Sequence, residues 1–431
     1  MKNYYYNFSM LWCAVLLTVG FLGQAQNFTN GIFVLNEGGA GSGNASVSYI
    51  SDDFSQLQNN IFGSANSGAA LGDTGQSIGF NGDYAYVVLN ISNEIKVVNR
   101  LTFQLNTTIT GFANPRYIAF HDNFAYVTCW GSAVSADDDY VAIVDLSNNT
   151  ILSTISVNEG PERIIVHAGK LYVAHQGGYG FGSSVSVIDP STNTVSHNIA
   201  VGDVPNSIVA HDGFLYVLCG GKPSWSQAET DGILSKIDPL TNLVVGTTPF
   251  VGHPSNLEIA GNDMFYSVDA EVFKSELAAA TLPTTPLFSI APQGVYGIYG
   301  MDIIDNVLYV ADAVDYASPG TVFVYSLQGV RLQEFTVGVI PNSFYKTDAS
   351  LATNPFNRVA NAVVYPNPTT DKFYVHSDQN AAVALYDLSG RLVKKQQDAN
   401  SGVGVSDLQA GIYVVSITIG NQTSTIKLIV K

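Results

Sequence analysis

One short phrase, an apolar residue followed by an aromatic residue and usually a valine, recurs along most of the chain. Its aromatic position is occupied by Tyr86, Tyr126, Tyr172, Tyr216, Tyr266 and Tyr309. Phe33, in the stretch GIFVLNEG, begins the series as a degenerate copy. Successive copies are separated by 53, 40, 46, 44, 50 and 43 residues. Self-similarity at such a period is typical of an architecture built from repeated supersecondary units.

Each copy carries the same flanking features. A turn with proline precedes the phrase, as in Asn114-Pro115 and Gly160-Pro161, and a polar corner such as His211-Asp212-Gly213 lies between the two. A strand-like run that ends in a turn follows the phrase, as in VSVIDPSTNT, and one more strand-like run follows that turn. Each repeat therefore predicts four short strands joined by hairpins, which is one blade of a β-propeller.

The two ends of the repeat region complement each other. Residues 337–346 (VGVIPNSFYK) match the start of a blade and then stop, whereas residues 31–38 (GIFVLNEG) begin where that fragment ends. We predict that both ends share one blade, because sharing leaves no open sheet edge in the ring. The prediction for residues 26–346 is a seven-bladed β-propeller, with six or eight blades as the alternative because Phe33 is the weakest copy.

These phrases resemble the secreted propellers with a YVTN-type repeat, also called YncE-like. The stretch GIFVLNEGGAGSGNASVSYI and residues 70–77 (ALGDTGQS) further resemble the opening of a surface-exposed propeller family of gut bacteria. Some members of that family capture cobalamin and pass it to an outer-membrane transporter. The resemblance implies a seven-bladed propeller on the cell surface, with a corrinoid as one possible ligand.

The first 25 residues predict a secretion signal. Lys2 supplies a positive start, and residues 10–22 (MLWCAVLLTVGFL) form an apolar core that is too short to span a bilayer. Gly23-Gln24-Ala25 then places small residues before the predicted cleavage site. No small-residue lipobox precedes Cys13, so no lipoprotein is predicted.

The charge of the chain is concentrated in the predicted propeller. Residues 26–361 contain eleven basic and thirty acidic side chains, a net charge of −19. Such a surface repels nucleic acid and anionic lipid. We therefore expect no nucleic-acid partner and no direct membrane attachment. This charge is compatible with binding of neutral sugars or cationic ligands. It is equally compatible with a role in solubility alone.

The C-terminal part of the chain predicts a second domain. Residues 347–361 are interpreted as a linker, and residues 362–431 alternate like the strands of a small Ig-like β-sandwich. Their phrases YPNP (365–368), DLSGR (387–391) and GIY (411–413), with the basic end at Lys431, resemble the C-terminal sorting domain of type IX secretion cargo. That resemblance implies type IX machinery and a sortase as partners, export to the cell surface, removal of the tail, and attachment to surface lipopolysaccharide.

Two rings of side chains are predicted near one end of the propeller channel, where ligand sites form. The first ring follows the proline turns and consists of Gln76, Arg116, Glu162, Asn206, Ser255, Tyr299 and Asn342. Arg116 and Glu162 come from adjacent blades, so we expect that they can pair. The alternative for this ring is that its groups only satisfy one another and channel waters.

The second ring lies three residues after the aromatic residue of each repeated phrase, which we call the anchor. Its members are Asn36, Leu89, Cys129, His175, Cys219, Asp269 and Asp312. Cys129 and Cys219 belong to blades that are not neighbours, and a disulfide needs Cα atoms within about 7 Å, so buried free thiols are predicted. Asp269, Asp312 and His175 are a candidate metal site or acid/base group, with ordinary hydrogen-bonded strand ends as the alternative.

Long loops follow the second strand of several blades. They span residues 129–139, 175–182, 219–231 and 312–320 and contain Trp130, Tyr179, Phe181, Trp225 and Tyr316. Exposed aromatic rings on one face would stack on a sugar ring or a flat macrocycle, although they could instead cap the blade ends. Asp137, Asp138 and Asp139 are a candidate calcium site, with a solvated loop as the alternative.

The leading functional hypothesis is a secreted, surface-displayed propeller that binds a ligand or partner on its loop-rich face without catalysis. The candidate binding residues are Gln76, Arg116, Trp130, Glu162, His175, Tyr179, Asn206, Trp225 and Tyr299. No cofactor is predicted. The sequence contains nothing that resembles a nucleophile elbow, a Gly-rich phosphate loop or CxxC spacing. A polysaccharide hydrolase or lyase using Asp269, Asp312 and His175, or Arg116 and Glu162, and a surface-layer or adhesion protein remain the alternatives.

Overall fold

The computed structural model describes residues 27–132, 135, 137–347, 363–376, 381–387, 391–396, 398–399, 401–419 and 422–431. The chain divides into two compact units, before and after the boundary between residues 348 and 349. The predicted signal peptide and, apart from Thr347, the predicted linker lie outside the described residues. Among the described residues, no helix has the length and hydropathy that crossing a membrane requires.

The first unit consists almost entirely of short strands. In chain order they are β1 (Gly31–Asn36), β2 (Ser46–Ser51), β3 (Leu57–Gln58), β4 (Gly75–Asn81), β5 (Tyr84–Leu89), β6 (Glu94–Asn99), β7 (Leu105–Thr110), β8 (Pro115–His121), β9 (Phe124–Cys129), β10 (Tyr140–Asp145), β11 (Thr150–Ser156), β12 (Pro161–His167), β13 (Lys170–His175), β14 (Ser184–Asp189), β15 (Thr194–Ala200), β16 (Pro205–His211), β17 (Phe214–Cys219), β18 (Ile233–Asp238), β19 (Leu243–Pro249), β20 (Ser255–Ala260), β21 (Asp263–Val268), β22 (Glu271–Glu276), β23 (Phe288–Ser289), β24 (Gly300–Ile304), β25 (Val307–Asp312), β26 (Pro319–Ser326), β27 (Arg331–Val339) and β28 (Pro341–Lys346). One short helix, α1 (Ile61–Ala65), and two 3₁₀ turns, Ser224–Ser226 and Ala291–Gln293, interrupt them.

These strands form seven four-stranded antiparallel sheets, numbered here as blades 1 to 7. Blade 1 has the order β28-β1-β2-β3, and blades 2 to 7 take β4–β7, β8–β11, β12–β15, β16–β19, β20–β23 and β24–β27 in turn. The two ends of the repeat region therefore share blade 1, with Phe344 of β28 opposite Val34 of β1. The inner strands β4, β8, β12, β16, β20, β24 and β28 contact one another in succession, and β28 contacts β4. The fold is an all-β propeller whose sheets close into a ring.

The repeated phrase forms the second strand of each blade. Five of the six residues in each of β5, β9, β13 and β17 are buried, because both faces of the sheet pack against neighbouring blades. The outermost strands are the opposite case: β11 and β15 leave their serine, threonine and asparagine side chains largely exposed. This difference explains the continuous apolar run of the phrase, since a strand buried on both faces does not alternate.

Cys129 and Cys219 are free and buried, as predicted. They end β9 and β17, which belong to blades 3 and 5. Burial raises the pKa of each thiol to about 12. The two cysteines therefore behave as small apolar core residues rather than as reactive groups.

The second unit is a β-sandwich. Its strands are β29 (Val363–Tyr365), β30 (Lys372–His376), β31 (Ala382–Tyr386), β32 (Leu392–Gln396), β33 (Val403–Gly404), β34 (Gly411–Ile419) and β35 (Gln422–Val430). They form a three-stranded sheet, β29-β30-β33, and a four-stranded sheet, β32-β31-β34-β35. Phe373, Leu385 and Val415 lie fully buried in one core contributed by both sheets.

Candidate functional site

One end of the ring carries the starts of the inner strands and the long loops. Pro115 pairs with Cys129, Pro161 with His175 and Pro205 with Cys219. Each inner strand thus begins beside the loop that leaves the second strand of its blade. We call this end of the channel the mouth, and its inner ring consists of Gln76, Arg116, Glu162, Asn206, Ser255, Tyr299 and Asn342.

The mouth contains an ion pair between two adjacent blades. Arg116 donates from Nε to Glu162 Oε2 at 2.9 Å and from Nη2 to Oε1 at 2.8 Å. The pair is largely buried, with side-chain exposures of 14% and 6%. The guanidinium also stacks 3.9 Å from the centroid of the Trp130 ring, whose Nε1 donates to the Pro161 carbonyl at 3.1 Å. The pair therefore holds Trp130 in one orientation and leaves no net charge at this point of the mouth.

Glu37 is a second acidic group of the mouth, and the candidates chosen from sequence omit it. The Tyr299 hydroxyl donates to Oε2 at 2.8 Å and the Asn342 amide donates to Oε1 at 3.1 Å. Burial raises the pKa of Glu37 above its usual value, which disfavours its charged form. Glu37 stands four residues after the anchor Phe33, as Trp130 does after Tyr126. This four-residue spacing is the sequence feature that could have identified Glu37 as a residue of the mouth.

The remaining groups of the inner ring are held by partners within the protein. Gln76 is buried and donates to the Tyr117 hydroxyl at 3.5 Å. The Asn206 amide donates to the Pro254 carbonyl at 2.9 Å, and the hydroxyls of Ser255 and Ser267 lie 3.0 Å apart. The polar groups of Gln76, Asn206 and Ser255 thus stabilise the wall of the channel. The side chains most accessible to a ligand are aromatic.

Five of the seven members of the second predicted ring are buried between blades. Asn36, Leu89, Cys129, His175 and Cys219 are fully buried, whereas Asp269 is exposed and Asp312 is half-buried. Successive residues of a strand point to opposite faces, so a position three residues after the anchor packs between blades. The position one residue later reaches the mouth in the cases of Glu37 and Trp130.

The structure places His175, one of the predicted binding residues, with no exposed side-chain surface. Its Nε2 lies 2.7 Å from the Ser186 hydroxyl, and burial lowers its pKa to about 4. Within the described residues, no group of three or more His, Cys, Asp or Glu side chains is placed to hold a metal ion. The structure therefore gives no metal site with His175, Asp269 and Asp312, nor one with the described residues Asp137, Asp138 and Asp139.

Four aromatic side chains form an arc over the mouth. We define the aromatic arc as Trp130, Tyr179, Phe181 and Trp225, which come from the loops of blades 3, 4 and 5. The Trp130 and Tyr179 rings have centroids 5.8 Å apart, and the Phe181 and Trp225 rings 5.6 Å apart. Tyr179 is 67% exposed and Trp225 is 76% exposed. The arc is therefore an accessible surface of ring faces and edges rather than part of a core.

The loops that carry the arc have defined backbone structures. In HQGGYGFG, Gly177 adopts a φ of +112° and a Cβ atom there would collide with the backbone of Gly182. Gly180 N donates to the Gly177 carbonyl at 2.7 Å, which closes a turn that contains Tyr179. In the next loop, Thr230 Oγ1 donates to Asp203 Oδ2 at 3.0 Å, and Lys222 lies 3.3 Å from the same carboxylate. The positions of Tyr179 and Trp225 thus follow from close backbone packing and polar anchors.

Below the mouth, the channel wall contains a second set of charged groups. Arg163, Glu258 and Asp302 line a cavity of about 60 Å³ between the inner strands of blades 4 to 7. The Arg163 guanidinium lies 4.5 Å from the Tyr117 ring centroid, and Asp302 accepts a 2.9 Å hydrogen bond from Phe344 N. Burial raises the pKa of Asp302 to about 7 and that of Glu258 well above its usual value.

The raised pKa of Asp302 predicts a pH-dependent stability. An unfolded aspartate has a pKa of about 3.9, so between about pH 4 and pH 7 folding takes up a proton at Asp302. We expect the free energy of unfolding to fall as the pH rises through this window, by up to about 1.4 kcal/mol per pH unit. Urea denaturation of the wild type and of Asp302→Asn at pH 4.5 to 8 measures this, and the variant should show the flatter profile.

Asp269→Asn is the matched control for this experiment, because it removes an exposed carboxylate. Its profile should parallel that of the wild type. Equal pH dependence of the wild type and Asp302→Asn would contradict the prediction.

A larger groove lies at the opposite end of the ring. It has a volume of about 740 Å³ and is lined by the polar corner of blade 5, with His211 and Asp212, and by Lys236 and Glu276. Lys236 Nζ lies 3.8 Å from the Phe214 ring centroid. The groove does not include the aromatic arc or the Arg116–Glu162 pair.

Comparison with solved structures shows the same fold. A "Quinonprotein alcohol dehydrogenase-like protein" from Bacteroides thetaiotaomicron is 14% identical, with 75% of this chain and 79% of that chain covered and a TM-score of 0.54. A functionally unknown protein from Desulfotomaculum acetoxidans is 12% identical, with 74% and 98% covered and a TM-score of 0.52. At these identities the likeness concerns the fold alone. No curated protein matches the sequence.

Two family models match the sequence. Residues 363–431 match the secretion system C-terminal sorting domain, which marks the protein as a secreted, cell-surface substrate of type IX secretion. Residues 30–252 match a domain of unknown function (DUF5074). Because this second match covers more than half of the 431 residues, the chain belongs to the DUF5074 family.

Proposed function

We propose that this protein is a non-catalytic binding protein of the cell surface that captures a ligand at the mouth of its propeller. The observation that carries the proposal is the aromatic arc, with Tyr179 and Trp225 exposed beside a mouth whose Arg116–Glu162 pair is internally neutralised. Exposed aromatic rings held on a rigid fold are typical of binding surfaces. Ordinary surface positions of soluble proteins seldom gather them in one place.

The resemblance to YncE-like propellers with cobalamin-capturing members makes a corrinoid the first compact ligand to test. A glycan is the second ligand class, since sugars also stack on aromatic rings. The sorting domain supports display by the type IX machinery. We propose that a sortase removes the tail and attaches the propeller to surface lipopolysaccharide.

The arrangement of the mouth favours binding over hydrolysis or lyase chemistry. His175 is fully buried and so is not accessible to a substrate, whereas Asp269 lies exposed in a turn. Arg116 and Glu162 are engaged with each other and with Trp130. Neither set of the predicted catalytic side chains presents a free acid/base pair to a substrate.

Tryptophan fluorescence provides a direct test. Outside the predicted signal peptide the chain has two tryptophans, Trp130 and Trp225, and both belong to the aromatic arc. We expect a ligand at the mouth to change the emission of the mature protein, and Tyr179→Ala to weaken its binding about tenfold, because one stacking ring is lost. Cobalamin and a set of soluble glycans are the ligands to titrate, with calorimetry as a second readout.

Tyr84→Ala is the control variant, since Tyr84 is an exposed aromatic residue of a polar corner at the other end of the ring. It should bind as the wild type does. If no cobalamin or glycan sample changes either the emission or the heat of mixing, the proposal of a small ligand at the mouth fails.

A further inference from the structure

The aromatic arc extends across three blades, which restricts the shape of a matching ligand. Trp130 belongs to blade 3, Tyr179 and Phe181 to blade 4, and Trp225 to blade 5. Its ring contacts run from Trp130 to Tyr179 and from Phe181 to Trp225. Tyr179 and Phe181 are two residues apart, so their Cα atoms lie within about 7 Å of each other. The surface is thus a row of aromatic groups rather than one enclosed pocket.

The side chains of the aromatic arc are pre-organised for binding. The turn at Gly177 and Gly180 positions Tyr179, while the Arg116 guanidinium and the Pro161 carbonyl orient Trp130. Trp225 lies in the 3₁₀ turn Ser224–Ser226, within a loop anchored through Asp203. Pre-organised rings lose little conformational freedom on binding, so stacking contributes more of its energy to affinity.

The electrostatics of the mouth select against anionic ligands. Arg116 is neutralised by Glu162, and the raised pKa of Glu37 disfavours a negative charge there. The net charge of the chain is −17, which repels a polyanion at long range. An anionic ligand is therefore disfavoured here, and a neutral ligand that presents flat C–H surfaces to the aromatic rings fits the arc.

We propose that the aromatic arc binds a linear, neutral oligosaccharide, with successive sugar rings stacking on successive aromatic side chains. A chain of sugar rings repeats the same flat apolar face along its length, as the arc repeats its aromatic groups. A compact macrocycle offers only one such face. The inference rests on the proposed function, because it names the ligand class of the same mouth.

The experiment measures affinity against chain length with the full mature protein. Di-, tetra- and hexasaccharides from cellulose, starch, xylan and mannan are titrated by tryptophan fluorescence and calorimetry, with oligogalacturonate as the charged comparison. We expect at least one neutral series to gain about tenfold or more in affinity from the di- to the hexasaccharide as further rings are engaged. Oligogalacturonate should bind more weakly than the neutral series.

Two variants separate the arc from other surfaces. Trp225→Ala should reduce hexasaccharide affinity about tenfold and flatten the dependence on chain length, whereas Tyr84→Ala should change neither. Because Trp225 lies exposed in a surface loop, its loss does not open a core cavity. A circular dichroism spectrum and a melting temperature equal to those of the wild type verify that the variant is folded.

The outcomes distinguish this inference from the proposed function. If cobalamin binds in a manner that depends on Tyr179 or Trp225 and no oligosaccharide does, the inference is wrong and the proposed function stands. If oligosaccharides bind with equal affinity at all lengths, or equally well to Trp225→Ala, the inference is also wrong. If neither ligand class binds at the mouth, both fail.

Discussion

Deletion of residues 363–431 is expected to abolish display of the protein on the cell surface and to leave it in the periplasm. These residues match the secretion system C-terminal sorting domain. They belong to the compact unit that follows residue 348, separate from the propeller, so their loss removes no strand from the ring. Protease shaving and antibody labelling of intact cells, compared with fractionated periplasm, measure the effect, which we expect to be nearly complete.

The complementary control adds the same segment to another protein. A periplasmic reporter that carries residues 363–431 at its C-terminus should reach the cell surface. A circular dichroism spectrum of the deleted protein should retain its β-sheet signature, which excludes misfolding as the cause of retention. Equal surface amounts of the full-length and deleted proteins would show that the tail does not direct export.

Replacement of Glu162 by alanine is expected to lower the free energy of unfolding by about 3–5 kcal/mol. The substitution leaves the Arg116 guanidinium, whose side chain is 14% exposed, without its carboxylate. A buried charge that loses its partner is costly, even where the pair itself adds little to stability. Equilibrium urea denaturation at pH 7 measures the change.

The double variant Arg116→Leu/Glu162→Leu tests the cause of this loss. Because it removes both charges and retains apolar volume, it should be markedly more stable than Glu162→Ala alone. Trp130 emission provides a local readout, since the ring stacks on Arg116 and should become more mobile in the single variant. A loss below about 1 kcal/mol in Glu162→Ala would place the pair in the class of weak surface ion pairs instead.

The first ring shows how a repeat can predict a site. Arg116 and Glu162 occupy the same position after their proline turns, and the regular period places them on adjacent inner strands. The packing of blade 3 against blade 4 then brings Arg116 Nη2 and Glu162 Oε1 to 2.8 Å. Their contact was predictable because it depends on the register within each blade and on the order of blades, and both follow from the spacing of the phrases.

The repeat does not predict which residues at the end of a second strand reach the mouth, as His175 and Glu37 show. Both are near the end of a second strand, yet one packs between blades and the other accepts hydrogen bonds in the mouth. A shift of one residue reverses the side of the sheet on which a side chain lies. The spacing from the aromatic residue identifies both positions in the sequence, but the packing of neighbouring blades decides which of them is buried and which reaches the mouth.

The repeat by itself determined the propeller, the shared first blade and the free state of Cys129 and Cys219, because these depend on strand count and spacing. The tail motifs determined the sorting domain in the same way, as local phrases in a fixed order. Only the tertiary structure decided that Tyr179 meets Trp130 and that Glu37 holds Tyr299 and Asn342. Those contacts join residues from different loops and blades, and their geometry arises from packing between sheets rather than from any local pattern.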